Sequence, residues 1–316
     1  MKTTTRFFED VLTGLNAKPK YLQSKYFYDA EGDKIFQEIM DCPEYYPTNC
    51  EMEIFTKQTD KLIDIFNSHL DEYDVIELGA GDATKSVHLL KALKERGVDY
   101  TYYPIDISSN VIRQLKKNLP KQVPGINIYG LNGEYFEMLE EANHISKRKK
   151  VVLFMGANIG NVPMEDAAKF CKDLRSHLRP GDIALIGFDL KKDPETILAA
   201  YNDKGGITRR FNLNLLTRIN EELGADFDVK NFKHYPVYNP VTGACKSYLV
   251  SLKEQTVCIG DTEVIRFAPY EAIFMEISQK YTVNQTNKLA KLSKFQPIAH
   301  LYDSKEWFLD AIWQCV

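Results

Sequence analysis

The chain has 316 residues, about two ordinary domain lengths, and is long enough to bury a core without disulfide or metal staples. Its 27% charged and 44% hydrophobic residues exclude a disordered, collagenous or coiled-coil chain. Forty Lys and Arg against 44 Asp and Glu give a net charge of −4, which disfavours a nucleic-acid groove, normally basic.

Residues 1–53 read as helical, broken by Cys42-Pro43-Glu44-Tyr45-Tyr46-Pro47-Thr48. Glu9 and Asp10 fall where the apolar core of a signal peptide would run, so none is expected. Cys42, Cys50, Cys171, Cys245, Cys258 and Cys315 make no CxxC pair and no zinc-like spacing, so free thiols and a cytoplasmic location are expected. No apolar run approaches a membrane span, and no histidine cluster suggests a metal.

From residue 74 apolar strands alternate with helices. Strands are expected at 74–79, 100–107, 126–131, 151–156 and 182–190, and helices at 84–97, 108–119 and 163–178. The basic run Lys147-Arg148-Lys149-Lys150 reads as a solvated approach to the fourth strand. This alternation predicts an α/β fold with a parallel sheet covered on both faces. After residue 190 the rhythm breaks. Two helices (193–203 and 207–224) lead into antiparallel strands with turns at Asn239-Pro240…Gly243 and Gly260-Asp261. A helix at 282–292 and two strands, 296–303 and 307–314, close the chain.

Glu77-Leu78-Gly79-Ala80-Gly81-Asp82 follows the first of these strands and opens a helix. Two glycines there let the backbone turn sharply and approach a ligand beside helix-terminal N–H groups. Thr84 stands where a dinucleotide site would have its third glycine, which disfavours a nicotinamide oxidoreductase. Asp106 ends the next strand, where a carboxylate can accept both ribose hydroxyls. Gly156-Ala157-Asn158-Ile159-Gly160-Asn161 ends the fourth strand with small residues and two amides. These either meet a ligand or cap the following helix.

The segments KYFYDAEG (25–32), CPEYYPT (42–48), ELGAGDATKS (77–86), GANIGN (156–161), AYND (200–203), RRFNLNLL (209–216) and ELGADFD (222–228) together resemble the histidine-specific methyltransferase family. The match runs in order from about residue 20 to residue 281. The resemblance implies a Rossmann-like class I methyltransferase sheet at 54–190 and 281–316. It also implies a second, α+β substrate-binding domain at 1–53 and 191–280. S-adenosylmethionine is the implied cofactor, with Gly79, Gly81, Lys85, Asp106, Glu134 and Tyr135 on its binding positions. Glu134 departs from the Asp common in the family there.

On the substrate side the resemblance implies Tyr28, Tyr45, Asn161, Tyr201, Ser247, Glu276 and Ser278, with Tyr45 and Asn161 orienting the reacting amine. Ser247 stands where the imidazole wall is Met in the best-known member of the family. Glu276 and Ser278 are two apart in a strand and so share a face. A carboxylate and a hydroxyl on one face can grip both nitrogens of an imidazole. The implied activity is N-methylation of the α-amino group of histidine by a monomeric enzyme. The alternatives are a methyltransferase for another aromatic amino acid, such as a tryptophan derivative, or a non-catalytic cofactor-binding homologue.

Overall fold

The computed structural model describes residues 2–260 and 262–316, so Asp261 of the expected Gly260-Asp261 turn lies outside the described residues. The strands are β1 (Lys20–Tyr21), β2 (Tyr73–Leu78), β3 (Thr101–Asp106), β4 (Asn127–Ile128), β5 (Leu131–Asn132), β6 (Lys149–Phe154) and β7 (Ile183–Asp189). They continue as β8 (Phe232–Asn239), β9 (Ala244–Ser251), β10 (Gln255–Ile259), β11 (Glu263–Phe267), β12 (Ala272–Gln279), β13 (Phe295–Tyr302) and β14 (Phe308–Cys315). The helices are α1 (Lys2–Asn16), α2 (Ala30–Met40), α3 (Tyr46–Lys57), α4 (Thr59–His69), α5 (Ser86–Glu95) and α6 (Ser109–Gln122). They continue as α7 (Tyr135–Ile145), α8 (Met164–Ser176), α9 (Pro194–Tyr201), α10 (Ile207–Leu223) and α11 (Val283–Leu292).

The chain divides into two compact units, Met1–Tyr46 with Lys192–Ser278 and Pro47–Lys191 with Gln279–Val316. These cuts differ from the expected 53/54, 190/191 and 280/281. The reason is two buried ion pairs. Glu51 of α3 pairs with Lys85, and Lys280 pairs with Asp189 at 2.6 Å, so both flanking segments belong with the larger sheet.

That sheet has the order β13-β14-β7-β6-β2-β3-β4, with β5 also pairing β3. Strands β2, β3, β6 and β7 are mutually parallel neighbours, while β14 runs antiparallel to both β7 and β13. The result is a mixed α/β sheet rather than a purely parallel one. β2 and β7 are buried along their whole length, which is why they read as mainly apolar runs. Leu78, Ile105, Phe154, Ile186 and Phe188 lie in one core cluster, each contributing about 1.5–3 kcal/mol by burial. The Ser108 side chain accepts from Val111 N and caps α6 as its sequence predicts.

Three readings are corrected. The expected strand 126–131 is two short pieces, because the pairing with β3 lapses between Tyr102 and Ile105. Helix α7, which buries Leu139 and Ala142, was not anticipated. The basic run is only half solvated. Lys150 is 1% exposed and ion-pairs with Asp74 at 3.0 Å, also donating to the Ser146 and Arg148 carbonyls.

The other unit holds a sheet of order β1-β12-β9-β8 and a separate β10–β11 hairpin. β8 and β9 pair antiparallel from Phe232↔Ser251 to Asn239↔Ala244. Their turn closes with Gly243 N donating to Asn239 O at 2.7 Å, and Gly243 takes the left-handed φ of 81° expected of a turn glycine. Helix α10 buries Phe211, Leu215, Leu216 and Ile219 in a core shared with Leu249, Ile273 and Met275. Among the described residues no helix is long and apolar enough to cross a membrane.

Gly187 in β7 has no room for a side chain. A Cβ there would stand 2.5 Å from Glu51 Oε1 and 3.1 Å from the Phe308 ring. Gly187→Ala is therefore expected to cost about 2 kcal/mol of stability, measured by urea unfolding; an unchanged midpoint would show that the strand yields freely.

Candidate functional site

The strand order reverses between β2 and β6, and ligands of open α/β sheets bind at the strands' carboxyl ends beside such a reversal. Gly79 and Gly81 follow β2 there, with φ of 72° and 52°. Gly79 N and Ala80 N both donate to Ile105 O, which fixes the turn against β3. A Cβ on Gly79 would stand 2.9 Å from the Tyr135 hydroxyl, whereas one on Gly81 would meet nothing within 4 Å. The first glycine is thus required by packing, and the second leaves its backbone open.

Asp106 ends β3 and accepts from Gly81 N at 3.3 Å and Ser108 N at 2.8 Å. Burial raises its carboxyl above the ordinary value, opposed by those two amides. Two acceptors used this way leave lone pairs for further donors. Tyr135, at the start of α7, packs edge-on against Phe154 with centroids 5.9 Å apart. Its burial pushes the phenol up to about 12. Glu134 is the exposed N-cap residue beside it and makes no capping bond. The structure therefore brings Gly79, Gly81, Asp106 and Tyr135 to one place.

Lys85 is the N-cap residue of α5 and ion-pairs with Glu51. Burial alone would lower its ammonium, but the Glu51 charge and hydrogen bond outweigh that and raise it. Glu77 is buried; it accepts from the Tyr102 hydroxyl, and burial raises it to about 7. Asn161 ends the short 3₁₀ turn Asn158–Asn161 after β6 and donates to Asn158 Oδ1 at 3.3 Å. That turn is held close to Gln279, whose carbonyl would lie 2.8 Å from a Cβ on Gly160.

In the other unit, Tyr201 is buried at the end of α9 and donates to Ser278 Oγ at 2.7 Å. Its ring meets Tyr45 edge-on with centroids 6.3 Å apart. Two residues before Ser278, Glu276 accepts from Asn212 Nδ2 at 3.2 Å. Tyr28 is 45% exposed and touches Phe36 and Phe211 edge-on. Ser247 is buried in β9, the neighbour of β12, and its Oγ has no hydrogen-bond partner among the described residues. Tyr45, Tyr201 and Ser278 are thus linked by contacts, Glu276 stands two residues before Ser278 on the same strand with Asn212 as its partner, and Asn161 belongs to the other unit. Asn212 and Glu51 went unnoticed in the sequence. Asn212 lies within the RRFNLNLL segment; nothing local marks Glu51.

A family model described as "Histidine-specific methyltransferase, SAM-dependent" matches residues 7–315. The chain belongs to this family. It is an S-adenosylmethionine-dependent amino-acid N-methyltransferase. It is 34% identical to the histidine N-alpha-methyltransferase of Mycolicibacterium smegmatis over 90% of this chain and 87% of that protein. It is also 34% identical to that of Mycobacterium tuberculosis, over 86% of this chain and 83% of the relative. The 4-dimethylallyltryptophan N-methyltransferase of Claviceps fusiformis is 29% identical over 62% of this chain and 57% of its own length.

The residues present fit the methyl donor. An open glycine backbone at Gly81, a carboxylate with spare lone pairs at Asp106 and a cation at Lys85 match a nucleoside carrying an amino acid. Among the described residues no group of three or more His, Cys, Asp or Glu is placed to hold a metal ion.

Glu77 gives this methyltransferase a pH signature. Its folded value of about 7 exceeds the ordinary 4.5, so the folded state keeps a proton that the unfolded chain releases. Its contribution is complete below about pH 4.5 and is lost as pH rises through 7, a change of order 3 kcal/mol. Urea unfolding at pH 5 and pH 8 should show that decline, and Glu77→Gln should flatten it. An unaltered slope in the variant would assign the decline to other groups.

Proposed function

We propose that this enzyme methylates the α-amino group of L-histidine, successively to the trimethyl betaine hercynine. The observation that carries the reading is the pairing of Glu276 with Ser278 on one strand, each held by a buried partner, Asn212 and Tyr201. A carboxylate accepts from one imidazole N–H, and a hydroxyl serves the other nitrogen in either tautomer. The 34% identical histidine N-alpha-methyltransferases support the same substrate.

In this reading the unit of Met1–Tyr46 and Lys192–Ser278 serves the amino acid. Tyr28 and Tyr201 hold its carboxylate, and Tyr45 orients the amine. Ser247 lies at the ring's wall. The larger sheet serves the donor: Asp106 accepts the ribose hydroxyls, Gly79 and Gly81 give the nucleoside its close backbone approach, and Glu134 and Tyr135 meet the adenine. When bound, S-adenosylmethionine supplies a methyl group made electrophilic by its sulfonium. The protein's task is then largely geometric, since holding a neutral amine's lone pair in line supplies much of the rate. The amine releases its proton to solvent before each transfer, and the Tyr45 ring face attracts the ammonium as methyl groups accumulate.

A tryptophan derivative is the second reading, favoured by the 29% identity to a 4-dimethylallyltryptophan N-methyltransferase. Incubation with methyl-labelled donor and the twenty amino acids, followed by product mass, separates the two and counts the methyl groups. Glu276→Ala should lower kcat/KM for histidine by roughly ten- to a hundredfold, the loss of a hydrogen bond to a charged group. Binding of S-adenosylhomocysteine should stay unchanged in calorimetry. An undiminished kcat/KM would remove Glu276 from the substrate.

A further inference from the structure

Segments far apart in the larger unit meet on one buried carboxylate. Glu51 is fully buried and ion-pairs with Lys85, four residues beyond Gly81. Gly156 N, at the end of β6, donates to Glu51 and lies 2.9 Å from both of its oxygens. The same side chain therefore ties α3 to the start of α5 and to the loop after β6. Room for it comes from Gly187, whose missing side chain leaves the space that Glu51 Oε1 occupies.

Asp310 of β14, paired with Gly187 across the ladder, is also fully buried, and neither of its oxygens has a donor among the described residues. Two adjacent carboxylates in an apolar interior cannot both ionise. Burial, then the Glu51 charge, raises Asp310 well above the carboxylate range. Asp310 is therefore held in its neutral, protonated form, so its acidity does not cancel the Lys85 charge. The Lys85 side chain keeps 20% of its surface exposed while Glu51 keeps none. A cation is presented with its counter-ion fixed behind it. Lysine has three N–H donors, and among the described residues Lys85 donates to Glu51 alone.

We propose that Glu51 is a positioning residue for the methyl donor: it holds the Lys85 ammonium and the Gly156 loop in place for the donor's amino-acid end, whose carboxylate takes the remaining ammonium hydrogens. This rests on the assignment of the Gly79–Gly81 turn and its neighbourhood to the donor. Without the Glu51 charge a largely buried lysine would shed its proton more readily, and the donor's carboxylate would lose its partner.

Calorimetry with two ligands tests this. S-adenosylhomocysteine carries the amino-acid end, and 5′-methylthioadenosine shares the nucleoside and thioether but lacks that end. Glu51→Gln should weaken S-adenosylhomocysteine at least tenfold, increasingly as pH rises from 7 to 9, and leave 5′-methylthioadenosine unchanged. Asp310→Asn, which is neutral and of the same shape as the protonated acid, should bind both ligands as the wild type does. Equal weakening of both ligands by Glu51→Gln, or none of either, overturns the proposal. Should Glu51→Gln not fold, loss of S-adenosylhomocysteine binding in a folded Asp310→Asn does the same. A wild-type protein that binds neither ligand would instead overturn the donor-site assignment itself.

Discussion

Parallel strands must all deliver their carboxyl ends to one edge of a sheet, and in this protein the donor chemistry depends on that constraint. β2, β3 and β6 are adjacent and parallel. The Gly79–Gly81 turn, Asp106 and the Gly156–Asn161 loop are therefore neighbours despite lying up to 82 residues apart in sequence. Each turn then needs little more than local chemistry. Gly79 needs a positive φ and the space that Tyr135 takes; Asp106 needs only to end its strand.

Buried charge is distributed unevenly along that sheet. At the amino ends of β2 and β6, Asp74 and Lys150 form a pair with further acceptors around the ammonium. This is a satisfied arrangement, and such pairs fix geometry more than they add stability. Towards the carboxyl ends the balance changes. Glu51, Glu77 and Asp310 surround Lys85, so acids outnumber the base, and burial raises both Glu77 and Asp310. Strongly shifted groups concentrate at functional sites, and here the shifted groups adjoin the turn proposed to receive the donor.

What was legible in the sequence follows from the range of the interactions involved. β2 and β7 are buried on both faces, so their apolar runs announce them. The Gly79 turn, Asp106 and the Ser108 cap are local features and stand in the sequence as they stand in the fold. Lys150 reads as solvated because its partner, Asp74, is 76 residues away. Glu51 is an ordinary helical glutamate until β6 and α5 are brought to it. α7 escaped because only Leu139 and Ala142 of its residues are fully buried, and β4 and β5 because each pairs through only two residues. On the substrate side, Glu276 and Ser278 were visible as a pair, but the Asn212 that holds Glu276 depends on how α10 packs in its core.

The two units also place opposite demands on pH. His234, in β8, is buried with Nε2 unpartnered among the described residues. Burial lowers it to about 4, opposed by Asp203 and assisted by Arg209. The folded unit thus refuses a proton that the unfolded chain accepts below 6.5, and its stability falls as pH drops through that range. Glu77 acts in the reverse sense in the other unit, since its folded form retains a proton up to about pH 7. Between about pH 4 and 7, falling pH loosens the unit proposed to hold the amino acid, and rising pH loosens the unit that contains Glu77. Methyl transfer favours the basic side, because only a deprotonated amine can attack. The Glu77 and His234 effects are both complete by about pH 7, so above it these two groups add no further dependence, and the protonation of the acceptor amine bounds the working pH from below.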